Sequence, residues 1–530
     1  MRTTLTIFLI LILKSGIAQF QHIRGTVVDK DAQFAMPGVV VTLINGNDTL
    51  SRSTTDMDGE FRLENVAPGR YTLSFRMTGF EPVVINAEHI SGKELILRIE
   101  MEEWIASMKE VTVTAHSGNR GDAANEMATV SARRFSVEET NRYAGSRGDP
   151  ARMASNYAGV NGNDDSRNDI IVRGNSPLGV LWMIDGLTIP NPNHFAIAGS
   201  QGGPVTVLNN KLLANSDFYT GAFPAEFGNS LSSVFDLRFR NGNNEQYEFT
   251  GQFGILGTEI TAEGPFSKNH KGTFLFSYRY STLKMFEFMG LRIGTDAVPT
   301  YQDLNFKLNF PIGSKTNLSF FGIGGLSGID IKLSDEEAPS GELQLYGDND
   351  RDQYFDTGMG MLGASLKHQV SEKTYLQIAL GAGIERQHAV HNYFERYVDS
   401  ITGNYVVDSL GPLMRYEFLQ SRISSSGSLN SKLSARHLIK VGYGIDAINI
   451  NNRDSIRNDL GDWTRRWDYQ GWNVLVRLYA QWKYRMTEDI TVNAGLHSQY
   501  MTMSNSISPI EPRAGLRWEL SPKHTLSAGI

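Results

Sequence analysis

Cysteine is absent from all 530 residues, which removes disulfide frameworks, thiolate metal sites and cysteine nucleophiles. It equally removes a lipid anchor of the kind that needs a cysteine directly after a leader. Long apolar runs are missing as well. No segment holds 18 consecutive apolar residues, so any membrane span must be β. Excess positive charge is lacking: the formal net charge of −7 argues against a nucleic-acid partner. Helical blocks of Lys, Glu and Leu are scarce. What abounds instead is 20 Tyr, 27 Phe and 52 Gly, a mixture suited to many exposed or lipid-facing strands. The length is too great for one compact core, so several domains are expected.

At the N-terminus Arg2 precedes the short apolar run Leu5–Leu13, and Gly16-Ile17-Ala18 places small residues at a cleavage spacing. The run is about half of what crosses a bilayer, so residues 1–18 are expected to be a signal peptide and the mature chain to begin near Gln19.

Residues 19–102 read as seven short strands broken by turn dipeptides such as Asp58-Gly59 and Pro68-Gly69, the pattern of a small β-sandwich. The runs Gly25-Thr26-Val27-Val28-Asp29, Pro37-Gly38-Val39, Thr55–Phe61 and Pro68-Gly69-Arg70-Tyr71 resemble the carboxypeptidase regulatory-like domain. Asp56 and Asp58 invite a calcium reading, but a turn whose carboxylates cap backbone amides is favoured.

Residues 103–132 hold Glu110-Val111-Thr112-Val113-Thr114-Ala115 and a polar tail rich in Gly and Asn. A β-branched run beside a tether can add a strand to a partner's sheet edge. It resembles a TonB box, the segment grasped by the energy-transducing protein TonB; the other reading is a last strand of the preceding sandwich. Residues 133–241 then carry Asn168–Gly174, Met183-Ile184-Asp185-Gly186, Ile189–Phe195, Gly221–Gly228 and Ser232–Leu237. In that order these motifs resemble the α+β plug domain of TonB-dependent receptors, most closely those of the Bacteroidetes type. The Asp185-Gly186 pair is expected to turn, and Gly174 and Gly228 to permit close backbone approaches.

From residue 242 strict alternation takes over. Trp472, Val474, Val476, Leu478, Ala480 and Trp482 oppose Asn473, Leu475, Arg477, Tyr479, Gln481 and Lys483. Charge at every second position is costly against lipid and cheap in a wet lumen. Short polar turns (Ser267–Lys271, Ile312–Lys315, Ser371–Lys373, Ser431–Ala435, Met486–Asp489, Ser521–His524) alternate with long connections (Thr282–Thr300, Gly328–Tyr354, Arg396–Leu413, Asn451–Gly471). That asymmetry is expected of a transmembrane antiparallel barrel. About 12 strands are counted, whereas barrels that hold plugs have roughly 22, so residues 242–530 are expected to be a partial barrel and Ile530 an artificial end. The chain is thus expected to be mainly β: sandwich, α+β plug and partial barrel.

Enzyme chemistry is not expected, and neither is a cofactor or metal. Gly358–Gly363 spells a dinucleotide motif but continues as an alternating strand, so no helix N-terminus would meet a phosphate. His388, His391 and Glu395 sit at a strand end where i and i+3 point to opposite faces. Asp348, Asp350 and Asp352 read as a solvated loop, and Arg147-Gly148-Asp149 as a turn.

The resemblance implies a TonB-dependent outer-membrane receptor that imports a scarce nutrient: siderophore-, cofactor-, peptide- or glycan-like. Its implied partners are TonB with its inner-membrane energising complex, outer-membrane lipid and the nutrient, with the N-terminal domain in the periplasm. TonB would grasp Glu110, Val111, Thr112, Val113, Thr114 and Ala115. The plug's apical turn offers Asn191, Asn193, His194 and Phe195 as ligand contacts, with plug packing as their plainer role, and Arg173 is expected to pair with barrel carboxylates. Two alternatives are a SusC-like glycan importer working with a surface lipoprotein, and a non-transporting surface receptor or adhesin.

Overall fold

The computed structural model describes residues 21–89, 94–105, 123–162, 165–254, 257–267, 270–282, 299–339, 350–458, 461–521 and 524–530. The expected leader, residues 110–115 and Asp348 lie outside the described residues.

Seven strands build the first domain: β1 (Gln21–Asp29), β2 (Val40–Asn45), β3 (Asp48–Thr54), β4 (Glu60–Val66), β5 (Gly69–Arg76), β6 (Val83–His89) and β7 (Leu95–Met101). They form two sheets, ordered β4-β1-β7 and β3-β2-β5-β6. Every second side chain points between them. Val41 and Leu43 of β2, Phe61 and Leu63 of β4, and Leu73 and Phe75 of β5 make one buried cluster. Phe61 and Phe75 meet edge to face at 5.4 Å. The Asp56 carboxylate accepts from the amides of Asp58 (3.0 Å) and Glu60 (2.8 Å), a capped turn.

The second unit holds β8 (Ala132–Phe135), α1 (Val137–Arg142), α2 (Pro150–Ala154), β9 (Val160–Gly162), β10 (Ile170–Val172), β11 (Val180–Ile184), β12 (Leu187–Thr188), β13 (Asn193–His194), β14 (Val205–Thr206), β15 (Ser216–Tyr219) and β16 (Ser233–Leu237). Its main sheet runs β12-β11-β16-β15-β8. Phe235 is the centre of its core, stacked on Trp182 at 4.2 Å and packed on Phe218 at 4.4 Å. Both helices begin as local chemistry dictates: Ser136 and Asp149 cap them, and Pro150 opens α2. Asp149, the last residue of the Arg-Gly-Asp triplet, is a buried helix cap. Asp185 and Gly186, at φ of 47° and 88°, join the β11–β12 hairpin through the two-residue turn that positive φ permits. A Cβ on Gly174 would meet nothing within 4 Å, so its requirement is a φ of +80° rather than the expected close approach.

Thirteen strands follow in one antiparallel sheet, each paired with its sequence neighbour: β17 (Glu248–Gly254), β18 (Gly257–Ser267), β19 (His270–Tyr280), β20 (Thr300–Ile312), β21 (Thr316–Ile331), β22 (Arg351–Ser371), β23 (Thr374–Val398), β24 (Tyr405–Ser434), β25 (His437–Arg457), β26 (Trp463–Arg485), β27 (Ile490–Met501), β28 (Ser506–Ser521) and β29 (His524–Gly529). The count exceeds the expected twelve, with β17 and β18, and β27 and β28, following one another closely in sequence. All six short turns foreseen in the sequence fall at one end of this sheet. The connections at 396–413 and 451–471 are mostly strand instead of loop. Their residues keep cross-strand partners, such as Tyr397 with Val406 and Asp454 with Trp467, so the hairpins continue well beyond the length that a membrane span needs. β24 alone, at 30 residues, is roughly 100 Å long at about 3.3 Å per residue, against the 9–11 residues a span needs. Gly358–Gly363 lie inside β22, and His388, His391 and Glu395 inside β23 rather than at its end.

Outward residues of β26 are apolar and exposed (Trp472, Leu478, Trp482), whereas Leu475, Arg477, Gln481, Lys483 and Arg485 turn inward and are buried. The inward face is covered by the second unit. Leu275, Phe321, Ile323, Met359 and Met361 of the strands share one apolar cluster with Trp182, Ile184, Leu187 and Phe235. The small α+β unit therefore sits against the inner wall of the curved sheet. Among the described residues no helix is long and apolar enough to cross a membrane.

Candidate functional site

Many polar contacts tie the inner unit to the wall, among them three that involve ionisable pairs deep in the seam. His194 Nε2 lies 3.0 Å from Asp303, whose carboxylate also takes Arg279 at 2.6 Å. Burial pushes the His194 imidazole below its ordinary pKa, outweighing the upward pull of Asp303, so the ring is held neutral. Lys307 donates to Asp185 (2.9 Å) and to the Phe239 carbonyl (2.8 Å). Lys440 pairs with Glu226 at 2.7 Å.

Where the chain enters the unit, Asp217 of β15 accepts from the amides of Ala124 and Asn125, both at 2.7 Å. Asn125 donates to Glu226 at 2.6 Å. The neighbouring Glu126 reaches the wall, taking hydrogen bonds from Tyr375 (3.1 Å) and Asn430. Burial works upward on Glu126, but Lys440, Arg238 and Asn430 outweigh it and hold its carboxyl down to about 2. Residues 124–126 thus form a clasp joining the start of the unit both to its own sheet and to the wall. Asp217 is a carboxylate inside the aromatic strand Ser216-Asp217-Phe218-Tyr219, and that incongruity was the sequence signal for it.

On the side away from the short turns, the inner unit and the wall enclose a chamber of about 410 Å³. Its floor includes Pro190, Asn191 and Gly199. Its wall carries Phe418, Trp467 and a charged cluster in which Asp446 takes Arg477, Ser424 (2.5 Å) and, at 3.9 Å, Arg422. Such a surface offers aromatic faces and both signs of charge to one occupant.

The four apical-turn residues are buried. Asn191 donates to the carbonyls of Ser200 and Gly202, both at 3.3 Å, and borders the chamber. Asn193 bonds Asn191 and Asn168, each at 2.7 Å. The Phe195 amide reaches Ser327 (3.0 Å) and Thr357 (3.2 Å) of the wall. Arg173 departs from expectation. Its guanidinium donates to Ser131 (3.2 Å) and Thr220 (3.5 Å) of its own unit, because its positive φ of 51° turns the side chain over Gly159 and Gly221 and away from the wall. The wall contacts fall to Asp185, His194 and Glu226 instead. Asp350 pairs with Arg351 (2.7 Å), and Asp352 caps Ser334 (2.9 Å).

A β-wall with a lipid-compatible outer face, a small domain seated on its polar inner face and a chamber above it have the arrangement of a membrane β-barrel wall with a domain inside it. Residues 22–102 match the carboxypeptidase regulatory-like domain family, and residues 295–530 match the family of TonB-dependent receptor-like β-barrels. The chain thus joins a carboxypeptidase regulatory-like domain to the β-barrel domain of a TonB-dependent receptor, and it is an outer-membrane protein. The TonB-dependent transporter Oar of Myxococcus xanthus is 24% identical over 253 residues, 47% of this chain and 23% of Oar. The outer membrane transporter YddB of Escherichia coli superposes with a TM-score of 0.52 at 13% identity, covering 75% of this chain and 60% of YddB. FpvA of Pseudomonas aeruginosa, bound to heterologous pyoverdines, gives 0.54 at 13% identity, covering 75% and 56%. The chain therefore spans under a quarter of the length of Oar and about three fifths of the solved structures.

Proposed function

We propose that this protein imports a scarce nutrient across the outer membrane, powered by TonB acting on Glu110–Ala115. The observation that carries the reading is the clasp at residues 124–126. Nine residues after Ala115 the chain is gripped by Asp217 of the plug and, through Glu126, by the wall. Force on the tether therefore arrives first at hydrogen bonds that hold the plug in place.

Energetics favour such a machine. Capture at about 1 nM corresponds to roughly 12 kcal/mol. At an association rate of about 10⁶ per molar per second, unaided release would take roughly a thousand seconds. Work from the inner membrane shortens that wait. The nutrient occupies the chamber, with Asn191 at its floor; Asn193, His194 and Phe195 support that floor from behind.

The test uses the full-length protein in its own outer membrane. Siderophores, haem, cobalamin, peptides and oligosaccharides are screened for binding, and uptake of the bound probe is compared with and without residues 110–115. Binding retained with uptake lost is the expected result. Uptake that survives the deletion overturns the proposal.

A further inference from the structure

The N-terminal sandwich is docked in the short-turn mouth of the barrel, and the contact is charge against charge. The turn after β1 is its tip. Asp29 accepts from its own turn amides at Asp31 (2.9 Å) and Ala32 (2.8 Å), and its second oxygen meets Lys432 of β24 at 2.6 Å. Asp31 meets Lys483 of β26 at 3.0 Å. The Ala32 carbonyl takes Gln369 of β22 (3.1 Å), and Gln33 takes Lys367 (3.3 Å). A single five-residue turn thus touches three strands of the wall.

The other end of the domain repeats the pattern. Glu102 pairs with Lys483 (3.4 Å) and Arg485 (3.3 Å), Glu103 with Lys432 (2.9 Å), and Glu81 with Arg485 (3.0 Å). Across the mouth, Lys271 beside the β18–β19 turn holds Asp58 (3.0 Å) and Glu60 (2.9 Å). In each of these pairs the domain supplies the acid and the rim the base; beside β17 the polarity is reversed, where Arg24 and Arg62 of the domain meet Glu245. The side chains of Lys432, Lys483 and Arg485 are only 5–6% exposed while docked.

A buried cation stripped of its partner is costly, so the docked state is specific. Separation is not penalised in the same way, because both faces would then meet water. Polar interfaces of this kind come apart, whereas apolar ones stay closed. Whatever passes the plug must leave through this mouth. Glu102 and Glu103 lie eight and seven residues before Glu110, so load on the tether reaches the rim contacts as directly as it reaches the plug clasp.

We propose that the N-terminal domain is a lid on the periplasmic mouth, latched by Asp29, Asp31, Glu102 and Glu103 on Lys432, Lys483 and Arg485, and opened by the same pull that moves the plug. The purpose of the lid rests on the import reading; its docking does not.

The absence of cysteine makes a single reporter possible. Ala32→Cys, at a residue 3% exposed whose carbonyl is held by the wall, is introduced into the full-length protein in lipid nanodiscs. Its rate of reaction with a membrane-impermeant maleimide is then followed. Labelling is expected to be slow at low salt, and about tenfold faster in about 1 M NaCl or with Lys483→Glu. Adding Asp31→Lys to Lys483→Glu swaps the charges and is expected to restore slow labelling, which a misfolded variant would not do. Equal rates in all four conditions, whether fast or slow, overturn the latch. In energised cells, deletion of residues 110–115 is expected to slow labelling several-fold; an unchanged rate overturns the coupled opening. Because the nanodisc rates are independent of uptake, a latch that behaves as expected beside a failed uptake assay sinks the import reading alone.

Discussion

Asp236 of β16 is a buried carboxyl whose protonation couples to the stability of the inner unit. Burial pushes its carboxyl up to about 6; Arg238 pulls against that shift and neighbouring Asp217 adds to it. A folded-state value above the unfolded one means that the folded plug holds a proton which the unfolded chain releases between about pH 4 and 6. Stability from this group is full below that window and is lost as pH rises through it. Two units correspond to about 3 kcal/mol as an upper figure. Hydrogen exchange of the β15 and β16 amides, corrected for its intrinsic pH dependence, should show weaker protection at pH 7.5 than at pH 4. Asp236→Asn should flatten that difference; a wild-type profile already flat would dismiss the argument. Glu102 of the N-terminal domain runs the opposite way. Burial works upward on Glu102, yet Lys30, Lys483 and Arg485 hold it well below its usual range, so its contribution to docking persists until strongly acid pH.

Among elements, the junction between the inner unit and the wall leaves no room for a side chain. A Cβ on Gly242 would lie 2.1 Å from the backbone carbonyl oxygen of Phe274 in β19, and neither chain can yield without moving a strand. Gly242→Ala should therefore abolish the heat-modifiable band of the folded barrel. Gly174→Ala provides the contrast. Its Cβ meets open space and the cost is the positive φ alone, about 1 kcal/mol, so the folded band should persist. If both variants fold equally well, the close approach at Gly242 is not what joins the two units. The α1 and α2 caps, the β11–β12 turn and the alternation of β26 follow from local chemistry alone. The long hairpins do not, because polar strand residues far from the short turns look like loop until their partners are known.

At the scale of the whole molecule, the chain meets three solvents: lipid outside the wall, a wet lumen, and water beyond both rims. Leu478 faces outward near the middle of the β26 span and is 57% exposed in the isolated chain. Leu478→Arg should lower the stability of the vesicle-embedded barrel by about 2–4 kcal/mol in a urea titration. A change within error would mean that this face does not meet lipid. The inward neighbour Arg477 is paired with Asp446, which is why the same charge is tolerated one residue away.

Sequence alone determined the strand faces of the long sheet and its short-turn end, because both rest on periodicity or on pairing between consecutive strands. Tertiary structure decided the rest. Arg173 looked like a wall contact and turned inward to Ser131 and Thr220; Asp185, His194 and Glu226 took that role; Asn193, His194 and Phe195 became the plug's support. The clasp joins residues 92 and 93 positions apart, and the tip of the sandwich meets Lys432 across 403 and Lys483 across 452. No local pattern carries such pairings. An acid in a turn and a lysine in a strand acquire a joint meaning only when the fold brings both to the mouth of one barrel.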